Sequence, residues 1–117
     1  LIRVLCAECR EAYSPSKEER QILGAGADLP NKIYRAAGCK TCGFRGYRGR
    51  VAIMEILRMD GDLDEMVAKH ATARELRNVA VEKGFRPLIE EAVARVLDGT
   101  TSITEIARSV DLTQKFQ

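Results

Sequence analysis

The chain has 117 residues, 45% apolar and 5% aromatic with no Trp; that allows one aliphatic core or two small lobes and excludes two full-sized domains. Its formal charge of +2 argues against a dedicated polyanion binder, yet residues 1–58 hold 11 Lys and Arg against 6 Asp and Glu, while residues 59–117 hold 8 against 11. No apolar run approaches the ~20 residues of a membrane span, and the start Leu1-Ile2-Arg3-Val4-Leu5 is too short for a secretory leader; the expectation is a cytoplasmic piece of something larger, with no membrane insertion.

In chain order, the first paired cysteines stand in Leu5-Cys6-Ala7-Glu8-Cys9. Ser14-Pro15-Ser16-Lys17-Glu18-Glu19 then predicts a short helix: Ser14 can cap, Pro15 suits the first helical position, and the acids face the positive helix end. Gly24 and Gly26 end it. Lys32 to Ala36 reads as a short strand, and the second cysteine pair follows in Gly38-Cys39-Lys40-Thr41-Cys42-Gly43. Gly43, Gly46 and Gly49 make a turn-rich stretch. Beyond it, Val51, Ile53, Glu55 and Leu57 alternate with Ala52, Met54, Ile56 and Arg58, which predicts a mostly buried strand over 50–57, with a helix as the alternative that so short an apolar run leaves open.

From Asp60 the periodicity becomes helical. Asp60 can cap a helix carrying Leu63, Met66 and Val67. Thr72 and Glu75 form a capping-box pair ahead of Leu76, Val79 and Ala80, with Gly84 as the stop. A third helix begins near Pro87 and carries Leu88, Ile89, Ala92, Val93, Val96 and Leu97 as far as Gly99. Ser102 with Glu105 opens a fourth, bearing Ile103, Ile106, Ala107 and Val110. The expected architecture is α+β: a small zinc-knuckle lobe with short strands and one helix over 1–58, then a small all-helical lobe over 59–117. Leu76, Val79, Leu88, Ala92, Val93, Val96, Ile103 and Ile106 should form the second core.

Cys6, Cys9, Cys39 and Cys42 are all the cysteines in the chain. One C-x-x-C pair also occurs in redox motifs. Two pairs that use every thiol point to one tetrahedral zinc with Zn–S near ~2.3 Å. The spacing between the pairs exceeds the ~15 to 20 residues of common ribbons, so the intervening chain must fold back as its own helix and strand. Two disulfides, or four unrelated buried cysteines, are the alternatives, and a cytosolic setting argues against disulfides. Four thiolates leave no open coordination position, so such a metal would be structural.

These knuckles, followed by Gly46-Tyr47-Arg48-Gly49-Arg50-Val51-Ala52-Ile53-Met54-Glu55-Ile56-Leu57, then Gly84-Phe85-Arg86-Pro87-Leu88 and Gly99-Thr100-Thr101-Ser102-Ile103-Thr104-Glu105-Ile106, resemble the C-terminal region of the type II secretion and type IV pilus assembly ATPases. That family has a tetracysteine motif, a Gly-Tyr-x-Gly-Arg turn and an apolar strand containing Glu. Ala52, where glycine is common, and Arg45, where threonine is common, depart from its pattern. The resemblance implies the zinc and helical subdomains of a hexameric motor, with ATP and Mg2+ bound only in the full-length parent. Partners would be its own ATPase core, neighbouring subunits and inner-membrane platform proteins, which would place it peripherally at the inner membrane. The motifs are shared between the two systems. There is no G-x-x-x-x-G-K-[ST] phosphate loop, and Gly24-Ala25-Gly26 lacks the Lys that should follow; the chain alone is expected not to hydrolyse ATP.

Lys40, Arg45, Arg48 and Arg50 interleave with Phe44 and Tyr47, and no acid falls between Lys40 and Glu55. Such a cluster can hold phosphate. The resemblance suggests that Arg50 faces a nucleotide in the ATPase core. The competing readings are a zinc ribbon that binds nucleic acid, or a solvated loop whose arginines pair with Glu8 or Glu11. His70 is the only histidine and falls near a helix C-terminus, so no catalytic relay can be built around a second imidazole. Met54, Met59 and Met66 read as core filler. Glu90 and Glu91 are adjacent on a helix and diverge, which rules them out as an acid–base pair.

Overall fold

A computed structural model describes residues 1–24 and 29–111. Strand β1 (Ile2–Leu5) runs antiparallel to β4 (Tyr47–Val51), with Ile2 opposite Val51, Arg3 opposite Arg50, and a bulge before Leu5 meets Tyr47. Strand β2 (Glu11–Tyr13) pairs with β3 (Ile33–Arg35), where Glu11 and Arg35 face each other and form an ion pair at 3.2 Å. The helices are α1 (Lys17–Leu23), α2 (Gly61–Ala68), α3 (Ala73–Glu82), α4 (Leu88–Leu97) and α5 (Ile103–Ser109). This is the α+β class expected, with the cysteines in the strand region.

Local signals placed most helix starts. Asp60 accepts from Leu63 N at 2.9 Å, and Thr72 and Glu75 close a reciprocal capping box. Two starts differ from expectation. Helix α1 is capped by Ser16, not Ser14: Ser16 and Glu19 satisfy each other's backbone N–H groups, whereas the residue three positions on from Ser14 is Lys17, which has no acceptor to return. At α5, Ser102 caps Glu105 N at 3.1 Å, but Glu105 does not reach back; its carboxylate goes to Arg3 and Arg108. Gly24 has φ +97 and closes α1 as expected, while Gly26 lies outside the described residues.

The predicted strand over 50–57 is corrected to Tyr47–Val51. Val51 is the last residue of the ladder, paired with Ile2, and among the described residues no strand lies beside 52–57. The segment is exposed, with Met54 61% and Ile56 73% accessible, so neither Met54 nor Met59 is core filler. Glu55 caps a helix more distant in the chain, accepting from Leu88 N, the first residue of α4, at 2.7 Å.

The main core joins both halves of the sequence. Ile89, Ala92, Val93 and Val96 of α4 meet Ile103 and Ile106 of α5, together with Leu23 of α1 and Ile33 of β3. Leu76 and Val79, expected in this core, are half-buried on α3, which packs against α2. Lys83 ties that helix pair by gripping Asp60 and Asp62 at 2.6 and 2.7 Å. No helix among the described residues is long and apolar enough to cross a membrane.

Candidate metal centre

Topology brings the two knuckles together. The first turn joins β1 to β2 and the second joins β3 to β4; because β1 pairs with β4 and β2 with β3, both turns lie where the sheets fork. In the first, the N–H groups of Cys9 and Arg10 both donate to Cys6 O. The second is a single 3-10 turn, Lys40–Cys42, closed by Gly43 at φ +63. Gly46 then threads between them: its carbonyl accepts from Cys6 N at 2.9 Å and its N–H points at Cys42 Sγ at 3.2 Å. With φ +83, and with the Cβ of Ala36 only 2.6 Å from where its own Cβ would stand, this position needs glycine.

The four Sγ atoms all lie within 4.8 Å of one another. Cys6–Cys39, Cys9–Cys42 and Cys39–Cys42 are each separated by 3.8 Å. A disulfide would need ~2.05 Å, whereas sulfurs about 2.3 Å from a central zinc stand about 3.8 Å apart in a tetrahedron. The donor set therefore fits a tetrahedral soft cation and leaves no vertex for a substrate. Cys6 and Cys42 are buried, and Cys9 and Cys39 half-buried.

The thiols differ in their ease of ionisation. Burial raises Cys42, but N–H donors from Cys39 and Gly46 outweigh it and hold the thiol down to about 6. Burial pushes Cys9 up to about 12, against the opposing N–H of Gly38. Cys39 is lowered, foremost by the N–H of Cys42. A cation at the centre would replace the proton that burial leaves on Cys9.

Polar contacts bolt this centre to the 99–105 region. Arg10 stacks on the Tyr34 ring and donates to Gly99 O at 2.7 Å. Leu5 N donates to Thr100 O, Thr101 Oγ1 donates to Arg3 O, and Tyr47 and Ser102 share a hydroxyl contact of 2.6 Å. Glu105, fully buried, receives the backbone N–H and the guanidinium of Arg3, and Arg108 as well. These residues escaped sequence reasoning because the contacts that join them to the 99–105 region span 55 to 102 positions, which no local pattern records. The one available hint was the Ser102/Glu105 spacing, which points instead to a capping box.

Arg50 stands exposed on β4 and, with Arg3, Arg45, Tyr47 and Gly49, lines a cavity of about 280 Å³. Arg48 lines a different one beside Val4, Leu5 and Cys6. Among the described residues no carboxylate forms an ion pair with Lys40, Arg45, Arg48 or Arg50; Glu11, a suggested partner, is held by Arg35. His70 is exposed, with φ +59, just beyond α2, and is not part of the cysteine cluster.

Four cysteines converging at a sheet fork, tied to a small helical tail, define a module with a candidate tetrahedral metal centre. The chain belongs to the Type II/IV secretion system protein family, which it matches over residues 1–108. It is 38% identical over 112 residues to the type II secretion system ATPase E of Vibrio cholerae, covering 92% of this chain and 21% of that protein. It is 33% identical to the type IV pilus assembly ATPase TfpB of Acinetobacter baylyi, over 97% of this chain and 20% of that one. Against the type IV pilus assembly ATPase PilB of Thermus thermophilus the figures are 32%, 95% and 13%. The chain thus spans about a fifth or less of the length of the curated relatives it matches.

Proposed function

We propose that this chain is the zinc-binding C-terminal portion of a hexameric cytoplasmic ATPase that powers type II secretion or type IV pilus assembly, and that its own role is structural and connective. The observation that carries this reading is the convergence of Cys6, Cys9, Cys39 and Cys42 within a family of secretion and pilus proteins. Zn2+ held by these four sulfurs would fix the fork between the two sheets and supply no catalysis. Residues 1–58 act as the zinc subdomain and 59–117 as the helical subdomain. ATP and Mg2+ belong to the ATPase core of the parent, and this portion alone does not turn over.

The exposed apolar segment 52–59 and the unpaired arginines mark the faces turned toward that core, the neighbouring subunits and the inner-membrane platform proteins, on which the assembly sits peripherally. Arg50 contacts nucleotide phosphate in the assembled motor. A zinc-ribbon nucleic-acid module is the second reading, favoured only by the basic loop, and predicts binding that weakens steeply with salt.

Elemental analysis should find one zinc per chain, absent from Cys39→Ser, whose amide spectrum should lose dispersion in the zinc lobe. An unchanged spectrum without zinc refutes the structural role. Arg50→Ala in the full-length motor should lower ATP turnover with zinc retained, and unchanged turnover removes the nucleotide contact.

A further inference from the structure

We propose that Arg3, Arg45 and Arg50 together form a pocket for a phosphate chain, of the kind a nucleoside triphosphate carries. The proposal rests on the assignment of Arg50 to a phosphate contact and extends it to two residues with no role so far.

The three arginines line one cavity of about 280 Å³ with Tyr47 and Gly49. Arg3 and Arg50 are direct partners across the β1/β4 ladder, an arrangement of like charges that repels unless an anion offsets it. Glu105 offsets only Arg3, and does so through Nε and Nη2, leaving Nη1 without a carboxylate. Arg45 and Arg50 have no acidic partner among the described residues. The cavity therefore gathers three cations and lacks the negative charge to match them.

Its geometry is also prepared. Arg3 is pinned by a fully buried carboxylate and lies 4.2 Å over the Tyr47 ring, so its planar fork is held in place before a ligand arrives. Gly49 has φ +77 and open space where a side chain would stand, which lets an anion approach the backbone. Paired guanidinium forks suit phosphate oxygens through charge-assisted bonds. A single cavity, rather than a basic track along the surface, favours a short phosphate chain over a nucleic-acid backbone. Arg48 provides an internal control: it has the same charge on the same strand but lines another cavity.

The test is an amide NMR titration of the zinc-loaded 117-residue chain with sodium tripolyphosphate, with ATP, and with phosphatidylglycerol vesicles. Saturable shifts are expected at Arg3, Arg45, Tyr47, Gly49 and Arg50, with a Kd of about 1 mM or tighter that is similar for tripolyphosphate and ATP. Arg45→Ala and Arg50→Ala, both exposed and unpaired, should each weaken binding about tenfold or more, and Arg48→Ala should leave it unchanged. Equal weakening by Arg48→Ala, shifts from vesicles alone, or no saturation by about 10 mM tripolyphosphate would overturn the pocket. Such a failure is distinct from failure of the motor assignment, which is read separately from zinc content and from turnover of the full-length protein.

Discussion

Replacing Glu105 by Gln tests the polar seam while preserving volume. The carboxylate is 0% exposed, and it accepts from Arg3 N at 2.6 Å, from Arg3 Nη2 at 3.0 Å, and from Arg108 Nε at 3.1 Å. Each charge-assisted bond contributes ~1.5–3 kcal/mol. Two effects reduce the loss: Arg3 and Arg108 are 41% and 62% exposed and can rehydrate, and the variant no longer desolvates a carboxylate. The amide NH2, however, must face one of the arginine donors. The net cost is about 2 kcal/mol, or about 8 °C in Tm for a chain of this size.

The pH dependence identifies the cause. Burial raises the Glu105 carboxyl, but the hydrogen bonds from Arg3 prevail and hold it below its ordinary value. Its stabilisation is therefore complete above the unfolded value of ~4.3 and is lost as pH falls through the lowered folded value. Urea unfolding of parent and Glu105→Gln, compared at each pH, should show a constant gap from pH 7 to about 5 that closes in stronger acid. A gap under ~0.5 kcal/mol at pH 7, within the range of an ordinary surface substitution, or one that persists undiminished in strong acid, refutes the argument.

Gly99→Ala should cost about 2 kcal/mol in thermal unfolding, because φ is +83 and the new Cβ would stand 2.6 Å from Arg10 Nη1 and 3.2 Å from the Tyr34 ring. Zinc binding at pH 7 should release at least about one proton per metal, because the Cys9 thiol, pushed up by burial to about 12, must ionise to become a ligand; calorimetry in buffers of different ionisation enthalpy counts these protons. Ser16→Ala removes the cap that accepts from Glu19 N at 3.2 Å and should cost ~1 kcal/mol by urea unfolding.

What could be read in the sequence was whatever is encoded within a few residues. The Asp60 and Thr72 caps and the apolar faces of α4 and α5 follow from local spacing, and the use of every cysteine in two knuckles foretold their convergence. Strands β1 and β2 escaped because they are four and three residues long, too short for alternation to register. The alternation over 52–57 misled because period 2 shows only that a strand could form there; a ladder also needs a neighbour, and among the described residues no strand lies beside that segment. Leu23 and Ile33 joined the α4 core through packing between distant parts of the chain, which no local pattern records.

The two sets of long-range contacts imply an order of assembly. The cysteines bridge 33 positions, and the Arg3–Glu105 link bridges 102. Bringing the ends of the longer loop together forfeits about 1 kcal/mol more chain entropy than the shorter one. Once the thiols are clasped, the excluded loop also shortens the path from Arg3 to Glu105. With zinc in the proposed site, metal capture would therefore come first and hasten the docking of α5, so that zinc supply would set the pace at which the tail locks down.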